Sequence, residues 1–536
     1  MFMTIRPIEE EFALIEKEID GRRCMDFAEN HGCLTDLYSC FDTFADSELV
    51  VYEGERLNYA DIAAGAATLA AHLTADHGIK PGDRVALVLP NSPDWIIAFV
   101  ATTAIGATPA LINSRASEGE LEHCITTTNC VFSFADRPLP VDLPGLGDRS
   151  SWPPPEAGSE LPRTARAGTD EAMLMFTSGT TGKPKAATLT HRGLMSALKT
   201  IAYSSAIIAN QMAEQYGIDY ETLVSMRPPP VTLLMFPLFH LSGCHAVFLS
   251  GITQGGKLVL MRRWDAEKSL ELMEEEKVTS FPGAPTMHWD ILRLEKHQEY
   301  DLSSLTTMSV AGQSVAPALL QAINEAFPSA VLGTGYGMTE ANGTVTLTIG
   351  KSFVSNPKSV GKLVATAEGE IRDEAGNPLP AGEVGEFHVR SASLMSGYAN
   401  FDNANVFDSE GWYATGDIGY FDDDGNLYIV DRRTDMVISG GENIYCAEVE
   451  HTIQSHPDVD ECATFGIPDE RLGEQLVAVI RLLPGSKLSS EELLDYCGDH
   501  LTPFKLPRKV FFSDEPLPRN ATGKVVKPKL KEVVIK

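Results

Sequence analysis

The stretch Thr177-Ser178-Gly179-Thr180-Thr181-Gly182-Lys183-Pro184-Lys185 is the segment from which the fold can be inferred. It follows an apolar run at residues 173–176, so the sequence predicts a strand that ends in a flexible loop. Glycine lets backbone N–H groups approach phosphate oxygens, hydroxyls add donors, and lysine supplies charge. The spacing differs from that of the common P-loop, because only Thr180 and Thr181 separate Gly179 from Gly182. Taken alone, the segment predicts either an oligophosphate loop or a surface turn.

Length and composition restrict the class of protein. A chain of 536 residues is too long for one ordinary core, so at least two domains are expected. The net charge of −31 argues against nucleic acid and anionic membranes as general partners. Nine scattered cysteines without a Cys-x-x-Cys pair indicate reduced thiols rather than disulfides or a zinc site. With no signal-peptide core at the start, we expect a cytoplasmic protein.

The order of apolar runs predicts a layered α/β fold. Helices are expected over residues 59–74 and 95–104, with a strand between them at residues 84–89. Residues 95–112 approach membrane length, but threonines, Gly106 and Pro109 favour a buried helix that turns into a strand. Residues 201–230 are expected to be an irregular helical elaboration on the surface or over a pocket.

A charged segment around Arg433 predicts the boundary between a large and a small domain. We expect a large domain at residues 1–433 and a small, mobile α+β domain at residues 434–536. A charged connection of this kind between unequal domains suggests rotation of one against the other.

A second motif, Gly333-Thr334-Gly335-Tyr336-Gly337-Met338-Thr339-Glu340, follows the short apolar strand at residues 331–332. Its glycines permit close approach of a ligand and its tyrosine offers a flat face for a base. Glu340 is a hard oxygen ligand suited to Mg²⁺. The alternative is a glycine-rich turn with a solvated glutamate.

Three further motifs follow. In Trp412-Tyr413-Ala414-Thr415-Gly416-Asp417, the aspartate can accept both ribose hydroxyls or can cap a turn. Residues 431–450 combine Arg432, a phosphate or ribose partner, with the Gly440-Gly441 turn, or they form a charged surface linker. Residues 516–524 end in Lys524, which is either a mobile charge on a tight turn or an exposed lysine.

Together these five motifs resemble, in order and spacing, the acyl-adenylate-forming superfamily of acyl-CoA synthetases, peptide-synthetase adenylation domains and luciferases. The resemblance implies ATP binding by Thr177, Ser178, Gly179, Thr180, Thr181, Gly182, Lys183, Lys185, Gly312, Gln313, Ser314, Gly335, Tyr336, Gly337, Asp417 and Arg432. It implies that Thr339 touches the α-phosphate and that Glu340 holds Mg²⁺. It makes Lys524 the catalytic lysine and Thr434 the hinge, with Gly440 and Gly441 lining the passage for coenzyme A.

By the same resemblance, the acyl pocket follows Phe236-Pro237-Leu238-Phe239-His240-Leu241-Ser242-Gly243. The expected substrate-binding residues are Phe239, His240, Gly243, Val310, Ala311, Met338 and Gly343. His240 either touches the carboxylate and gates the pocket or is a satisfied buried histidine. Because the wall is largely apolar, we expect a fatty or arylalkyl monocarboxylate rather than a dicarboxylate or an amino acid.

Two positions depart from the family pattern. The hinge residue is usually aspartate or lysine and is Thr434 here, so the balance between domain poses is expected to differ. The proline usual shortly after the Gly-Gly turn is Cys446, which we interpret as a tolerated packing change.

The implied activity is AMP-forming ligation of a small carboxylic acid to CoA, with ATP, Mg²⁺ and CoA as cofactors. A stand-alone adenylating enzyme that loads a separate carrier protein is the alternative. A luciferase-like oxygenase shares the first half-reaction, and a non-catalytic nucleotide-binding protein is disfavoured by Lys524, Glu340 and the phosphate loop. The sequence leaves a homodimer open, and no transmembrane segment is expected.

Overall fold

The structure is a computed structural model that describes residues 7–156, 158–177, 183–310, 315, 317–440, 442–520 and 524–534. The strands are β1 (Leu14–Ile19), β2 (Arg22–Phe27), β3 (Glu48–Tyr52), β4 (Glu55–Asn58), β5 (Arg84–Val88), β6 (Thr108–Leu111), β7 (Phe132–Ala135), β8 (Gly145–Leu146), β9 (Glu171–Thr177), β10 (Lys185–Thr190), β11 (Val231–Leu234), β12 (Lys257–Leu260), β13 (Ser280–Gly283), β14 (Thr307–Val310), β15 (Val331–Met338), β16 (Gly343–Ile349), β17 (Lys362–Leu363), β18 (Ala367–Arg372), β19 (Gly385–Ser391), β20 (Gly397–Tyr398), β21 (Tyr413–Phe421), β22 (Leu427–Arg432), β23 (Val437–Ser439), β24 (Glu442–Ile444), β25 (Val459–Asp469), β26 (Gly473–Leu482) and β27 (Lys509–Phe512).

The α-helices are α1 (Ile8–Glu11), α2 (Ser39–Thr43), α3 (Tyr59–Ala75), α4 (Pro93–Ala104), α5 (Glu118–Thr128), α6 (His191–Tyr216), α7 (Tyr220–Met226), α8 (Leu241–Gly243), α9 (Ser250–Ile252), α10 (Ala266–Glu275), α11 (Pro285–Arg293), α12 (Pro317–Ala326), α13 (Lys351–Ser355), α14 (Cys446–Gln454), α15 (Ser490–Gly498) and α16 (Lys527–Val534). A π-helix spans Cys244–Leu249. Short 3₁₀ turns lie at Leu34–Tyr38, Arg149–Ser151, Glu295–Glu299, Thr339–Ala341 and Pro503–Lys505.

The first layer is a seven-stranded sheet in the order β20-β10-β9-β6-β5-β7-β8. Asn58 caps α3 with a capping box, and Ser92 caps α4, which carries Pro93 in its first turn. Every residue of α4 except Asp94 is buried, and β6 follows it directly. The expected buried helix that turns into a strand is therefore confirmed. Within the described residues, no helix has the length and apolar character needed to cross a membrane.

The second layer is a nine-stranded sheet in the order β17-β16-β15-β14-β13-β11-β12-β3-β4. Neighbours from β15 to β3 are parallel, whereas β16, β17 and β4 pair antiparallel. The prediction that the strand ends at residue 332 is wrong, since β15 runs on to Met338. A Cβ atom on Gly335 would lie 2.5 Å from the Thr346 carbonyl oxygen, and one on Gly337 would lie 2.3 Å from that of Gly343. These glycines therefore accommodate the neighbouring strand.

Helix α6 is longer and more regular than the sequence suggests. The helix runs from His191 to Tyr216, and the side chain of Thr190 caps its N-terminus. Gly217 follows its last residue and, with a φ of 69°, provides a left-handed C-terminal cap. Only then does the chain turn into the short helix α7. The expectation of an irregular segment over residues 201–230 is therefore wrong for its first half. No proline interrupts the helix there, since the prolines of this segment begin at Pro228.

Residues beyond the second layer form two smaller sheets. The strands β18-β19-β21-β22 make a four-stranded sheet, and β24-β23-β26-β25, with β27 beside β26, make a five-stranded sheet. Thr434 lies exposed in the turn between β22 and β23, at the expected domain boundary. The fold class is thus α/β, with a large N-terminal domain and a smaller C-terminal domain, as predicted.

Contacts between described residues join the parts on either side of this turn, and two of them concern side chains discussed below. Arg293 on α11 forms a 2.6 Å ion pair with Asp460 on β25. Asp431, which is 6% exposed at the end of β22, accepts a hydrogen bond from the backbone N–H of Cys446, the first residue of α14. Cys446 therefore differs from proline in more than packing, because proline has no N–H to donate.

The nine cysteines are free; eight are buried and Cys130 is half-buried. Burial raises the pKa of eight of these thiols, at Cys24, Cys40, Cys124, Cys130, Cys244, Cys446, Cys462 and Cys497.

Candidate active site

Asp417 occupies the centre of the candidate site. The register of β21 and β22 places it opposite Arg432, whose Nε lies 3.2 Å from Asp417 Oδ1. The hydroxyl of Tyr336 on β15 donates to Asp417 Oδ2 at 2.5 Å. Burial, and then the charge of Asp417, raise the pKa of Tyr336 well above its ordinary value. Asp417 thus lies within a strand and is bound by two side chains, and it does not cap a turn.

Lys524 comes from the C-terminal domain and reaches the same place. The residue is exposed, and its charge interacts with those of Arg432 and Asp417. Loss of solvation lowers the pKa of Lys524, the guanidinium of Arg432 lowers it further, and Asp417 opposes the shift. Lys524 is therefore exposed, as one alternative predicts, and its charge is also coupled to those of Arg432 and Asp417.

Glu340 lies in the 3₁₀ turn that follows β15. Its Oε1 atom accepts a 2.9 Å hydrogen bond from the Tyr398 hydroxyl, which in turn lies 3.0 Å from the Tyr413 hydroxyl. Burial and the charge of Glu340 raise the pKa of both tyrosines, so both stay protonated and can donate. The carboxylate is consequently oriented by a pair of phenols.

The two lysines of the phosphate loop have different surroundings. Lys183 is exposed, whereas the ammonium of Lys185 lies over the rings of Tyr398 and Phe401, 5.2 and 4.4 Å from their centres. At the base of the loop, His123 on α5 has its Nε2 atom 2.9 Å from the Pro184 carbonyl oxygen. Lys185 is therefore part of the aromatic cluster around Glu340.

The donor set at Glu340 is compatible with Mg²⁺. Carboxylate oxygen is a ligand that Mg²⁺ prefers, and this ion usually binds one or two carboxylates together with substrate phosphates and water. Among the described residues no group of three or more His, Cys, Asp or Glu side chains could hold a metal ion. In the part of the chain that the structure describes, Glu340 would thus be a carboxylate ligand for a metal that the nucleotide brings with it.

The expected acyl pocket is lined by a tight turn. A Cβ atom on Gly243 would lie 2.3 Å from the Pro237 carbonyl oxygen, so only glycine allows this approach. The His240 ring packs against Phe239 with 4.5 Å between ring centres and forms no side-chain hydrogen bond within the described part of the chain. Burial, assisted by the charge of Lys524, lowers the pKa of His240 to about 4. His240 is thus a half-buried, neutral imidazole within the influence of the Lys524 charge, and the alternative of a satisfied core histidine is not observed.

Comparison with known proteins identifies the family. The sequence profile described as AMP-binding enzyme matches residues 39–399, and that of the AMP-binding enzyme C-terminal domain matches residues 448–524. The chain belongs to the AMP-binding enzymes. Relatives include 4-coumarate–CoA ligase CCL1 of Humulus lupulus, 31% identical over 519 residues and 90% of each chain. Feruloyl-CoA synthase of an Amycolatopsis species is 33% identical over 485 residues, with 89% of this chain and 94% of the relative covered.

A third relative of this AMP-binding enzyme is the long-chain-fatty-acid–CoA ligase FadD13 of Mycobacterium tuberculosis, 33% identical over 496 residues, with 89% and 93% of the two chains covered. Among solved structures, o-succinylbenzoate CoA synthetase of Bacillus subtilis with its acyl-adenylate has a TM-score of 0.77 at 28% identity, covering 94% and 98%. ATP-bound MatB of Rhodopseudomonas palustris has a TM-score of 0.79 at 25% identity, covering 94% and 99%. The protein is therefore an AMP-forming acid–thiol ligase that binds ATP.

Several expected site residues of the AMP-binding enzyme can be located. Val310 is fully buried at the end of β14, Met338 is half-buried at the end of β15, and Gly343 starts β16 with φ of 140°. Thr339 begins the Glu340 turn. Gly440 is exposed, has φ of 63° and donates its N–H to the Leu472 carbonyl at 2.8 Å.

The remaining predicted residues lie outside the described part of the chain. They are Ser178, Gly179, Thr180, Thr181, Gly182, Ala311, Gly312, Gln313, Ser314 and Gly441. Their roles stay predictions.

Sequence reasoning missed other residues around the site of the AMP-binding enzyme. Tyr398 contacts Glu340, and His123 contacts Pro184 at the end of the loop. Asp431 and Tyr413 stand in predicted motifs without a role, and they contact Cys446 and Tyr398 respectively. The signal that could have found Asp431 was its position directly before Arg432. For His123 and Tyr398, no local pattern distinguishes them from surface residues.

Proposed function

We propose that this enzyme activates a hydrophobic monocarboxylic acid, fatty or aryl/arylalkyl, and transfers its acyl group to CoA. The observation that carries the proposal is that the charge of Lys524 acts on the neutral, half-buried His240, which lies in the largely apolar segment at residues 236–243. A cation next to an uncharged imidazole can fix one carboxylate while the rest of the acid packs against apolar residues. Relatives that act on coumarate, ferulate and long-chain fatty acids support this substrate class.

In the first half-reaction a carboxylate oxygen of the acid forms a bond to the α-phosphorus of ATP. The bond between that phosphorus and the bridging oxygen breaks, and pyrophosphate leaves with the electron pair. Lys524 and the loop lysines neutralise charge on the phosphates, Asp417 binds the ribose, and Thr339 contacts the α-phosphate. Removing one such charge-stabilising group costs about 10²–10³ in rate by analogy with oxyanion donors. Mg²⁺ held at Glu340 would add further neutralisation of the phosphate oxygens.

In the second half-reaction the C-terminal domain rotates about Thr434. Lys524 leaves the cleft, and the turn at Gly440 and Gly441 lines a passage for the CoA thiol. The thiol sulfur bonds to the acyl carbon, the bond from that carbon to the phosphate oxygen of AMP breaks, and the thiol proton is released. The proximity of Lys524 to Asp417 supports the assignment of the present pose to the first half-reaction.

A carboxylate panel tests the proposal. Purified enzyme is incubated with ATP, Mg²⁺, CoA and single acids, and AMP and acyl-CoA are followed by mass spectrometry. We expect thioesters from hydrophobic monocarboxylates, lost in Lys524→Ala and kept in Lys529→Ala, an exposed lysine on α16. Acyl-AMP without a thioester would favour a carrier protein as the acceptor, and turnover of dicarboxylates alone would contradict the substrate class.

A further inference from the structure

His245 is a buried histidine with no part in the chemistry described above. It is 1% exposed and lies in the π-helix Cys244–Leu249, which begins immediately after the pocket residue Gly243. Its Nδ1 atom lies 2.9 Å from the carbonyl oxygen of Asn342, and its Nε2 atom lies 3.3 Å from the sulfur of Met173. A side chain of the π-helix thus contacts both the turn that follows Glu340 and strand β9.

The tautomer of this ring follows from its partners. Burial lowers the pKa of His245 to about 4, so the ring is neutral at physiological pH. A backbone carbonyl can only accept a hydrogen bond, so the single ring proton must be on Nδ1. The Nε2 atom then has a lone pair against the Met173 sulfur, which makes that contact a packing contact. His245 therefore donates one directed hydrogen bond, to Asn342.

Asn342 is the residue at which the chain reverses from β15 into β16. Its φ of 55° lies in the left-handed region, and its backbone N–H donates to the Thr339 carbonyl at 3.1 Å. Its side-chain nitrogen donates to the Ser393 carbonyl at 2.7 Å, and the residue is fully buried. Asparagine tolerates this conformation better than most residues, but the turn still has to be held by its surroundings.

We propose that His245 is a positioning residue for the turn from Thr339 to Gly343. Its hydrogen bond fixes the Asn342 carbonyl, two residues after Glu340 and one before Gly343. The same hydrogen bond therefore fixes the positions of the Glu340 carboxylate and of Gly343 in the pocket wall. Since His245 follows Gly243, whose close packing on Pro237 fixes the pocket segment, the bond joins the acyl pocket to the Glu340 turn. The inference rests on the proposed function only in taking Glu340 as the ligand of Mg²⁺.

Two variants at this position separate positioning from packing. His245→Leu fills the space without a donor, whereas His245→Asn places an amide N–H close to the position of Nδ1. Tyr38→Phe is the matched control, because it removes another buried side-chain hydrogen bond, to Thr103, in the core of the first layer. Steady-state adenylation rates, calorimetric ATP binding across a Mg²⁺ titration, and melting temperatures are measured for all three.

We expect His245→Leu to weaken the Mg²⁺ dependence of ATP binding and to lower kcat, each by about tenfold, because a buried carbonyl loses its donor. His245→Asn should return both to within about threefold of the wild type. Tyr38→Phe should lower the melting temperature alone. Equal behaviour of His245→Leu and Tyr38→Phe, or of His245→Leu and His245→Asn, would overturn the inference.

A second variant, at Gly193, alters the turn at Asn342 through the Asn342 side chain rather than through its carbonyl. A Cβ atom on Gly193 of α6 would lie 2.9 Å from the Asn342 side-chain nitrogen and 3.2 Å from the Ser393 carbonyl oxygen. Should His245→Leu fail to fold, Gly193→Ala is expected to give the same change in Mg²⁺ dependence, and an unchanged dependence overturns the inference. If the wild type forms no acyl-adenylate from any acid, the proposed function falls, and the Mg²⁺ dependence of ATP binding still decides the role of His245.

Discussion

The Tyr336 hydroxyl and Asp417 Oδ2 are 2.5 Å apart and join the strand β15 of the nine-stranded sheet to the strand β21 of the four-stranded sheet. Arg432 holds the second carboxylate oxygen from β22. Asp417 is therefore a buried carboxylate fixed from two sides, with a side chain 8% exposed, while Arg432 is 53% exposed. Rigid placement of this kind is compatible with the role that we propose for Asp417 in binding the ribose.

Replacement of Asp417 tests this arrangement. Asp417→Asn keeps the shape but removes the charge, so we expect the KM for ATP to rise about tenfold to hundredfold, as for hydrogen bonds to charged groups. Tyr336→Phe leaves Arg432 in place and should raise the KM only about two- to tenfold. Pyrophosphate release measures both, and a larger effect of Tyr336→Phe than of Asp417→Asn would contradict the assignment.

ATP binding should be coupled to proton uptake at Lys524. Its pKa is lowered in the free site, and phosphates next to the ammonium would raise it again. At pH values close to this lowered pKa, the enzyme is therefore expected to take up protons when it binds ATP. Calorimetry in buffers of different ionisation enthalpy measures this uptake. Lys524→Ala should abolish it and Lys529→Ala should not, and uptake that persists in Lys524→Ala would assign it to another group.

Three fully buried histidines predict a loss of stability in acid. The pKa of each of His191, His245 and His288 is lowered by burial to about 4, whereas in the unfolded chain it is about 6.5. The unfolded chain binds protons first, so stability is lost as pH falls from about 6.5 through 4. Each histidine can cost about 3 kcal/mol at pH 4.

Melting temperatures recorded from pH 7.5 to 4.5 test this expectation. His191→Gln, at a position whose ring accepts the Leu34 N–H, should give a shallower fall because one titrating group is absent. A melting temperature independent of pH over this interval would show that these rings are not held neutral.

Cys446→Pro tests the contact beneath the hinge. Proline suits the first position of α14 but cannot donate to Asp431. Burial raises the pKa of Asp431 to about 6, compared with about 3.8 in the unfolded chain. Ionisation of Asp431 therefore lowers the free energy of unfolding as pH rises from about 3.8 through 6, and below that window this loss is absent. Without the Cys446 N–H, the charged Asp431 loses a hydrogen bond. The free energy of unfolding should therefore fall by about 1–2 kcal/mol at pH 8 and by less at pH 5.

The matched control for this prediction is Cys446→Ala, which removes the thiol and keeps the N–H. It should show little of the pH-dependent loss in melting temperature. Indistinguishable melting curves for the alanine and proline variants at pH 8 would rule out the hydrogen bond as the cause.

The motifs and the layered fold could be predicted because they are local in sequence. The pattern of apolar residues predicts the helices α3 and α4. The glycine-rich and charged motifs predict Asp417, Glu340 and Lys524 as site residues. The contacts that orient these residues could not be predicted, since Tyr398 lies 58 positions from Glu340 and His245 lies 97 from Asn342. Sequence also cannot distinguish a glycine that faces a ligand from one that faces a strand, which is why the end of β15 was misplaced.

The burial of the thiols has a consequence for the chain itself. An acyl-adenylate is an electrophile, and a nearby thiolate would capture its acyl group before any acceptor arrived. Eight of the nine cysteines are buried and none is fully exposed, and eight of the nine have raised pKa values, so they stay protonated. The protein is thereby protected against acylating itself with its own activated product.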